Sequence, residues 1–263
     1  MAPSTRRLVA ACTALVCLAS VAVGAQRFRG RGRNQRQDLG VEVQGNTPYD
    51  GRFVFVRLSY PTNMGRWVGD GGYPWSHDYP EGEVHFSKIL EELTLLNVRT
   101  DGSNILALDD PELFNYPIAY MAEPGFWYPS EHESENFRKY LLKGGFAVFD
   151  DFRGPHWDNL REQMRKVLPD HRWIEMDGSA AVFHAFFEIP KPLEMPAPYG
   201  GLQTSYWGIF EQNDPKQRLM AIANVNNDLS EYWEFSATGY YPVDLSNESY
   251  KFGVNYIIYG LTH

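Results

Sequence analysis

The sequence predicts a three-layer α/β domain, a mostly parallel sheet with helices on both faces. Two observations carry that expectation. Residues 118–154 read as strand, turn, helix and strand in succession, the pattern of a βαβ unit. Elsewhere, short apolar runs alternate with amphipathic helical stretches.

The βαβ stretch sets the frame. Ile118–Ala122 is an apolar run with the length of a buried strand, and Glu123-Pro124-Gly125 stops it. Pro129-Ser130 opens a helix with Glu131, Glu133 and Glu135 early and Arg138, Lys139 and Lys143 late, which suits the helix dipole. Gly144-Gly145 ends it. Residues 146–149 form the second run, closed by Asp150-Asp151. Strands joined by such a crossover lie parallel, so both finish in acidic residues on one sheet edge. Open α/β folds bind ligands at that edge.

Before this unit, residues 53–58 (FVFVRL) read as the first strand. Residues 59–82 form a long loop with Tyr60, Trp67, Tyr73, Trp75 and Tyr79, and a loop of that length in a compact domain is usually functional or disordered. Residues 83–97 are an amphipathic helix with Val84, Ile89, Leu93 and Leu96 roughly on one face. Residues 105–108 are the second strand, broken by Asp109-Asp110-Pro111, and 111–114 a turn of helix.

After the unit, residues 157–168 read as an amphipathic helix and Trp173–Met176 as a short strand. Residues 180–189 fit strand or helix, and the Pro-rich 190–201 is a loop. Residues 206–210 and Leu219–Val225 read as strands, a hairpin around Asn213-Asp214-Pro215. Residues 226–241 look irregular and aromatic, and 250–261 close the chain as a helix on the sheet. There is no internal repeat.

Composition narrows the class. The chain has 263 residues, 43% hydrophobic and 15% aromatic, enough for a real core. A net charge of −9 argues against nucleic acid as the main partner. Positive charge gathers at the start: Arg6 and Arg7, then Arg27, Arg29, Arg31, Arg33 and Arg36 among Gly, Asn and Gln. Residues 8–25 are apolar and end in small residues, which reads as a secretory signal cut after Ala25. An uncleaved membrane anchor is the alternative, and membrane contact is then confined to this segment. Thr5-Arg6-Arg7-Leu8 has a faint twin-arginine character. The expected division is a signal over 1–25, a flexible Arg/Gly/Gln-rich arm over 26–50, and one α/β domain over 51–263. The protein is expected to be exported, to the periplasm or beyond. Cys12 and Cys17 both fall in the signal, so the mature chain has no disulfide, thiolate nucleophile or cysteine metal site.

The order of several motifs resembles a known family. HDYPEGEVHF, an ILEELT helix, DDPELF, PIAYMAEPGFW, YLLKGGFAVFDDFRG and a closing FGVNYIIYGLTH are similar to the domain of unknown function 4159 family, over roughly residues 53 to 263. The resemblance implies a flavodoxin-like fold similar to class I glutamine amidotransferases, and no settled activity. Those enzymes place a cysteine nucleophile on a sharp strand-to-helix turn. The corresponding place here is Ala122-Glu123-Pro124-Gly125, without cysteine, so amidotransferase chemistry is not supported.

Candidate chemistry clusters on the acidic edge. Adjacent Asp150 and Asp151 point to opposite sides of an extended chain, so one faces the pocket, as metal ligand or general base; the other caps a helix or pairs with Arg153. Glu123 sits at the neighbouring strand end and with either Asp offers hard oxygen ligands for Mg²⁺ or Ca²⁺, or else bonds backbone N–H groups in its turn. His77, oriented by Asp78, is a candidate base or ligand, and His85 follows one turn into the next helix. The alternative is that Asp78 and Glu81 cap that helix. His184 lies in an apolar run, more typical of a core residue, and His156 is near the rim. The metal candidates are therefore Glu123, Asp150, His77 and His85.

Trp67, Trp75, Trp127 and Tyr128, with Tyr73 and Phe126, come from loops above the edge, either as an aromatic platform for a glycan or protein or as a self-packed lid. There is no Gly-x-Ser-x-Gly elbow, P-loop, dinucleotide fingerprint or His-Glu-x-x-His, so no nucleotide cofactor is expected. Two functions fit: a binding module using the aromatic loops over the acidic rim, or a cell-envelope hydrolase acting on a carbohydrate or amide with Asp150, Asp151, Glu123 and His77, with a divalent metal an open option. A further alternative is an assembly subunit using the arginine-rich arm.

Overall fold

Seven strands form one sheet in the order β2-β1-β3-β4-β7-β6-β5. The strands are β1 Val56–Ser59, β2 Asn104–Ala107, β3 Ile118–Ala122, β4 Phe146–Asp150, β5 Trp173–Met176, β6 Ser205–Phe210 and β7 Leu219–Val225. The computed structural model describes residues 44–62 and 72–263. The expected signal, the arm's arginines and Trp67 lie outside these. β1, β2, β3, β4 and β7 run parallel, while β6 is antiparallel to both β7 and β5. The expected mostly parallel sheet is therefore present, with one hairpin at its far side.

The helices are α1 Glu81–Leu93, α2 Glu131–Leu142, α3 His156–Val167, α4 Leu229–Glu234 and α5 Val243–Thr262. Alternating side chains divide the sheet's two faces. From one face, Phe55, Tyr120, Val148 and Ile222 join a core with Phe86 and Leu90 of α1, Trp233 of α4 and Phe252 of α5. From the other, Phe149 meets Trp127 and Phe137 of α2, with ring centroids 6.1 and 6.4 Å apart. Each such side chain, fully buried, contributes about 1.5–3 kcal/mol. Helix α5 approaches α1 closely at Gly253, where a Cβ would come within 2.3 Å of the Phe86 ring.

Local signals explain the boundaries. Ser130 and Glu133 exchange capping hydrogen bonds, Glu133 N–H to Ser130 Oγ at 3.2 Å and Ser130 N–H to Glu133 Oε2 at 2.8 Å, so α2 starts where its acids begin. The ambiguous residues 180–189 become a 3-10 turn, Ala181–His184, tied down by Asn255, whose Oδ1 accepts from the N–H groups of Phe186 and Phe187. The stretch expected to be irregular, 226–241, contains α4, begun by Asp228, whose side chain accepts from Glu231 N–H.

The arm's described end is held rather than loose. Asn46 bonds the backbone of Ile105 twice, at 2.7 and 2.9 Å, and Thr47 N–H donates to Asn104 Oδ1 at 3.0 Å. Gln44–His263 forms one compact unit. No helix among the described residues is long and apolar enough to cross a membrane.

Candidate functional site

Register brings the acids together. In the β3–β4 ladder Ala122 pairs with Asp150, so Glu123 and Asp151 leave their strands at the same level. Glu123 N–H extends the ladder by donating to Asp150 O at 3.2 Å. From β1, the following loop supplies His77 and Asp78, and Tyr60 OH donates to the backbone oxygens of Ala122 and Glu123 at 2.9 and 2.5 Å. From β7, the chain runs directly to Asp228. The sheet order reverses between β1 and β3, because β2 lies on the outer side of β1. That switch point is where open α/β sheets leave a crevice.

Three of these acids hold a left-handed backbone: Asp78 at φ 61°, Glu123 at φ 47° and Asp151 at φ 57°. A residue with a side chain is strained there by about 1–3 kcal/mol, and such strain concentrates where function requires it. Glu123 starts a short 3-10 turn, Pro124–Phe126, at the sharp end of β3. Gly125 permits His156 to close over this turn, since a Cβ there would lie 2.2 Å from the imidazole. His156 Nδ1 stands 3.5 Å from Glu123 Oε2, and that oxygen is buried without a hydrogen bond among the described residues.

Asp151 faces the site and Asp150 does not. Asp151 Oδ2 lies 2.6 Å from His77 Nδ1, and its Oδ1 accepts from Tyr199 OH at 2.5 Å. Tyr199 OH also reaches Asp228 Oδ2 at 3.1 Å. Asp78 Oδ2 accepts from Ser230 Oγ at 2.5 Å, and its Oδ1 lies 3.6 Å from His77 Nδ1 with no hydrogen-bond donor.

Electrostatics follow from burial. Burial opposes a charge on His77, but the Asp151 hydrogen bond and the charges of Asp151, Asp78 and Glu123 outweigh it and push its pKa up to about 11. Burial raises Asp151, and its bonds to His77 and Tyr199 more than offset this, so it stays below its ordinary value. Burial and the Asp151 charge push Asp228 well up. Burial, reinforced by Asp151, lifts Glu123 to about 7 against the pull of His156. Burial and Asp78 lift Glu234 to about 8.

Several sequence candidates have other work. Asp150, expected as a catalyst or ligand, is fully buried and accepts from Asn224 Nδ2 (2.9 Å), Tyr120 OH (2.9 Å) and the N–H groups of Leu229 and Ser230 (2.8 and 3.2 Å). It caps α4 and ties β4 to β7, and burial lifts its pKa to about 7 against these donors. His85 Nδ1 bonds Trp233 O at 2.9 Å and does not join the cluster of His77, Asp78, Asp151 and Asp228. Arg153 pairs with neither Asp; its guanidinium stacks over Tyr199, 4.4 Å from the ring centre. His184 bonds Glu188 and Gly178 O. Trp75 and Trp127, expected as ligand-binding rings, are 8% and 0% exposed, whereas Tyr128 is exposed. Glu83, just inside α1, forms a buried ion pair with Arg57 at 2.5 Å, and Arg57 also donates to Trp75 O, anchoring the loop before His77.

Asp228, Ser230 and Tyr199 also belong to the site, beyond the candidates that the sequence offers. The run Asp228-Leu229-Ser230-Glu231 carries a helix-start signature that marks the first two. Tyr199 sits in a Pro-rich loop and has no local signal.

The molecule is thus an α/β protein with a buried carboxylate–histidine site at the carboxyl edge of its parallel strands. Residues 55–261 match the family described as Domain of unknown function (DUF4159), and the chain belongs to that family. No curated protein matches it.

Proposed function

We propose that the protein is an exported hydrolase of the cell envelope that cleaves an amide or glycosidic bond, with Glu123 as the group that moves the proton. One observation carries this: Glu123 is held in a left-handed turn at the end of β3, its Oε2 buried and without a hydrogen bond, within the fields of His77 and Asp151. A carboxyl group with a pKa near 7 can take a proton from water and return it at neutral pH. On an amide, Glu123 removes a proton as water attacks the acyl carbon and gives that proton to the departing amine. On a glycoside, protonated Glu123 gives its proton to the departing alcohol and recovers one from the attacking water, and Asp151-held His77 polarises the bond. The aromatic-platform alternative needs open rings, and Trp75 and Trp127 are enclosed.

The helices on both faces suit the flavodoxin-like, amidotransferase-like arrangement that the motifs suggest, with Glu123 at the turn where such enzymes carry cysteine. Export rests on the apolar segment 8–25 and its small-residue end.

The test is the Glu123→Gln variant on a panel of nitroanilide amides, nitrophenyl glycosides and purified cell-envelope glycan. Turnover by the natural chain and a loss of about 10²–10⁴-fold in the variant, with its circular dichroism intact, is the expected result. A variant as active as the parent overturns the assignment.

A further inference from the structure

We propose that His77, Asp78, Asp151 and Asp228 form a binding site for one divalent transition-metal cation of the Zn²⁺ or Mn²⁺ class. The inference goes beyond the hydrolase assignment and does not rest on it.

The first ground is geometry. One ligand atom from each of the four residues lies within 4.8 Å of all the others. The three aspartates are each 5% exposed or less. The donors come from three separate strand ends, β1, β4 and β7. Donor atoms this close can share one centre at metal–oxygen and metal–nitrogen distances near 2.0–2.2 Å once the 2.6 Å contact between His77 Nδ1 and Asp151 Oδ2 opens.

The second ground is independent of the clustering. Asp78 Oδ1 is buried, its side chain wholly inaccessible, and it has no hydrogen-bond donor among the described residues. The oxygen nevertheless faces His77 Nδ1 at 3.6 Å, which in turn touches Asp151 Oδ2. Leaving a buried carboxylate oxygen without a donor costs about 1–3 kcal/mol or more. A cation at the centre satisfies it.

The third ground is the surrounding shell. Ser230 Oγ holds Asp78 Oδ2 and Asp228 Oδ1, at 2.5 and 3.1 Å, and Glu231 N–H holds Asp228 Oδ1 at 2.9 Å. Tyr199 OH holds Asp151 Oδ1. Asp78 and Asp151 thus each have one oxygen held from outside and the other facing His77 Nδ1, while both oxygens of Asp228 carry hydrogen bonds, Oδ2 from Tyr199 at 3.1 Å. Outer partners of this kind orient metal ligands and set their affinity.

Charge points the same way. The cluster gathers three carboxylates around one imidazole, and the nearby Arg57 is committed to Glu83. Glu231 and Glu234 each bring a carboxylate oxygen within 4.8 Å of one of Asp78. His77 is 34% exposed at its side chain, which leaves a route from solvent. One nitrogen and three hard oxygens suit Zn²⁺ or Mn²⁺ better than Mg²⁺ or Ca²⁺, which favour all-oxygen sets.

The experiment is calorimetric titration of the chelator-treated full chain with Zn²⁺, Mn²⁺, Mg²⁺ and Ca²⁺, with elemental analysis after dialysis. The expected result is one equivalent of Zn²⁺ or Mn²⁺ bound. Affinity should fall at least tenfold in His77→Gln and in Asp78→Asn, and about 10–100-fold in Tyr199→Phe, which keeps all four ligands. His77→Gln alters a partly exposed side chain, and its melting curve shows whether it stays folded. No stoichiometric binding, binding unchanged in His77→Gln and Asp78→Asn, or a preference for Mg²⁺ or Ca²⁺ overturns the proposal. The readout is binding, so a chain that binds metal without hydrolysing anything, or hydrolyses without metal, separates the two assignments.

Discussion

At Glu123 two unfavourable features coincide. Its backbone is left-handed and its carboxyl is buried, 8% exposed, without a hydrogen bond to Oε2. Because its pKa is raised from 4.5 to about 7, the folded state holds its proton more tightly than the unfolded chain does. Its contribution to stability is therefore present below pH 4.5 and lost as pH rises through 7. In metal-free protein, Glu123→Gln should match the parent at pH 4.5 and exceed it by about 1–3 kcal/mol at pH 8, since each pKa unit is worth about 1.4 kcal/mol. Denaturant melts at both pH values measure this, and an equal gain at both would show that charge burial is not the cause. Such a gain beside lost activity is the exchange expected where function strains a residue.

At the scale of elements, the site depends on turns held by their neighbours. Trp127, which follows the Glu123 turn in the chain, packs against both Phe137 and Phe149, and Asn159 Nδ2 donates to Trp127 O at 2.9 Å. Trp127→Ala should destabilise the fold by about 3–5 kcal/mol, read from urea melts. A loss below 1 kcal/mol would mean that the ring is not part of the core. Much here was legible beforehand: Ile118–Ala122, Trp173–Met176 and Leu219–Val225 are strands with the bounds that their apolar runs indicate. Helix α4 was not, because aromatic residues mask its short amphipathic pattern. Its start is fixed from a distance by Asp150, 79 residues earlier in the chain from Leu229. The Asp150-Asp151 pair suggested that one carboxylate faces the site, but alternation alone does not say which; the left-handed turn at Asp151 decides it. Trp75 and Trp127 are enclosed where open rings were expected, because a stretch rich in rings looks alike whether it faces a ligand or packs inward.

For the whole molecule, the parallel order of β1, β3, β4 and β7 is what collects His77, Glu123, Asp151 and Asp228 at one lip. The parallel pairing of β3 and β4 followed from the βαβ reading, whereas the sheet order and the convergence of Tyr199 and Asp228 are tertiary. The fold includes residues 44–50, which lock onto β2. A chain beginning at Gln44 should melt in one transition. One beginning at Gly51 should lose about 1–3 kcal/mol with Asn46 and Thr47, lowering Tm by about 2–4 °C for each kcal/mol. Identical melting would show the contacts to be idle.

The central claim is that this lip brings His77 against Asp151 as a charged pair. Nuclear magnetic resonance of the His77 ring in metal-free protein tests it most directly. The ring should remain protonated through pH 9, with a pKa pushed up toward about 11, and should titrate lower in Asp151→Asn. A His77 that titrates near 6.5 in the parent, unaltered by that substitution, would contradict the account.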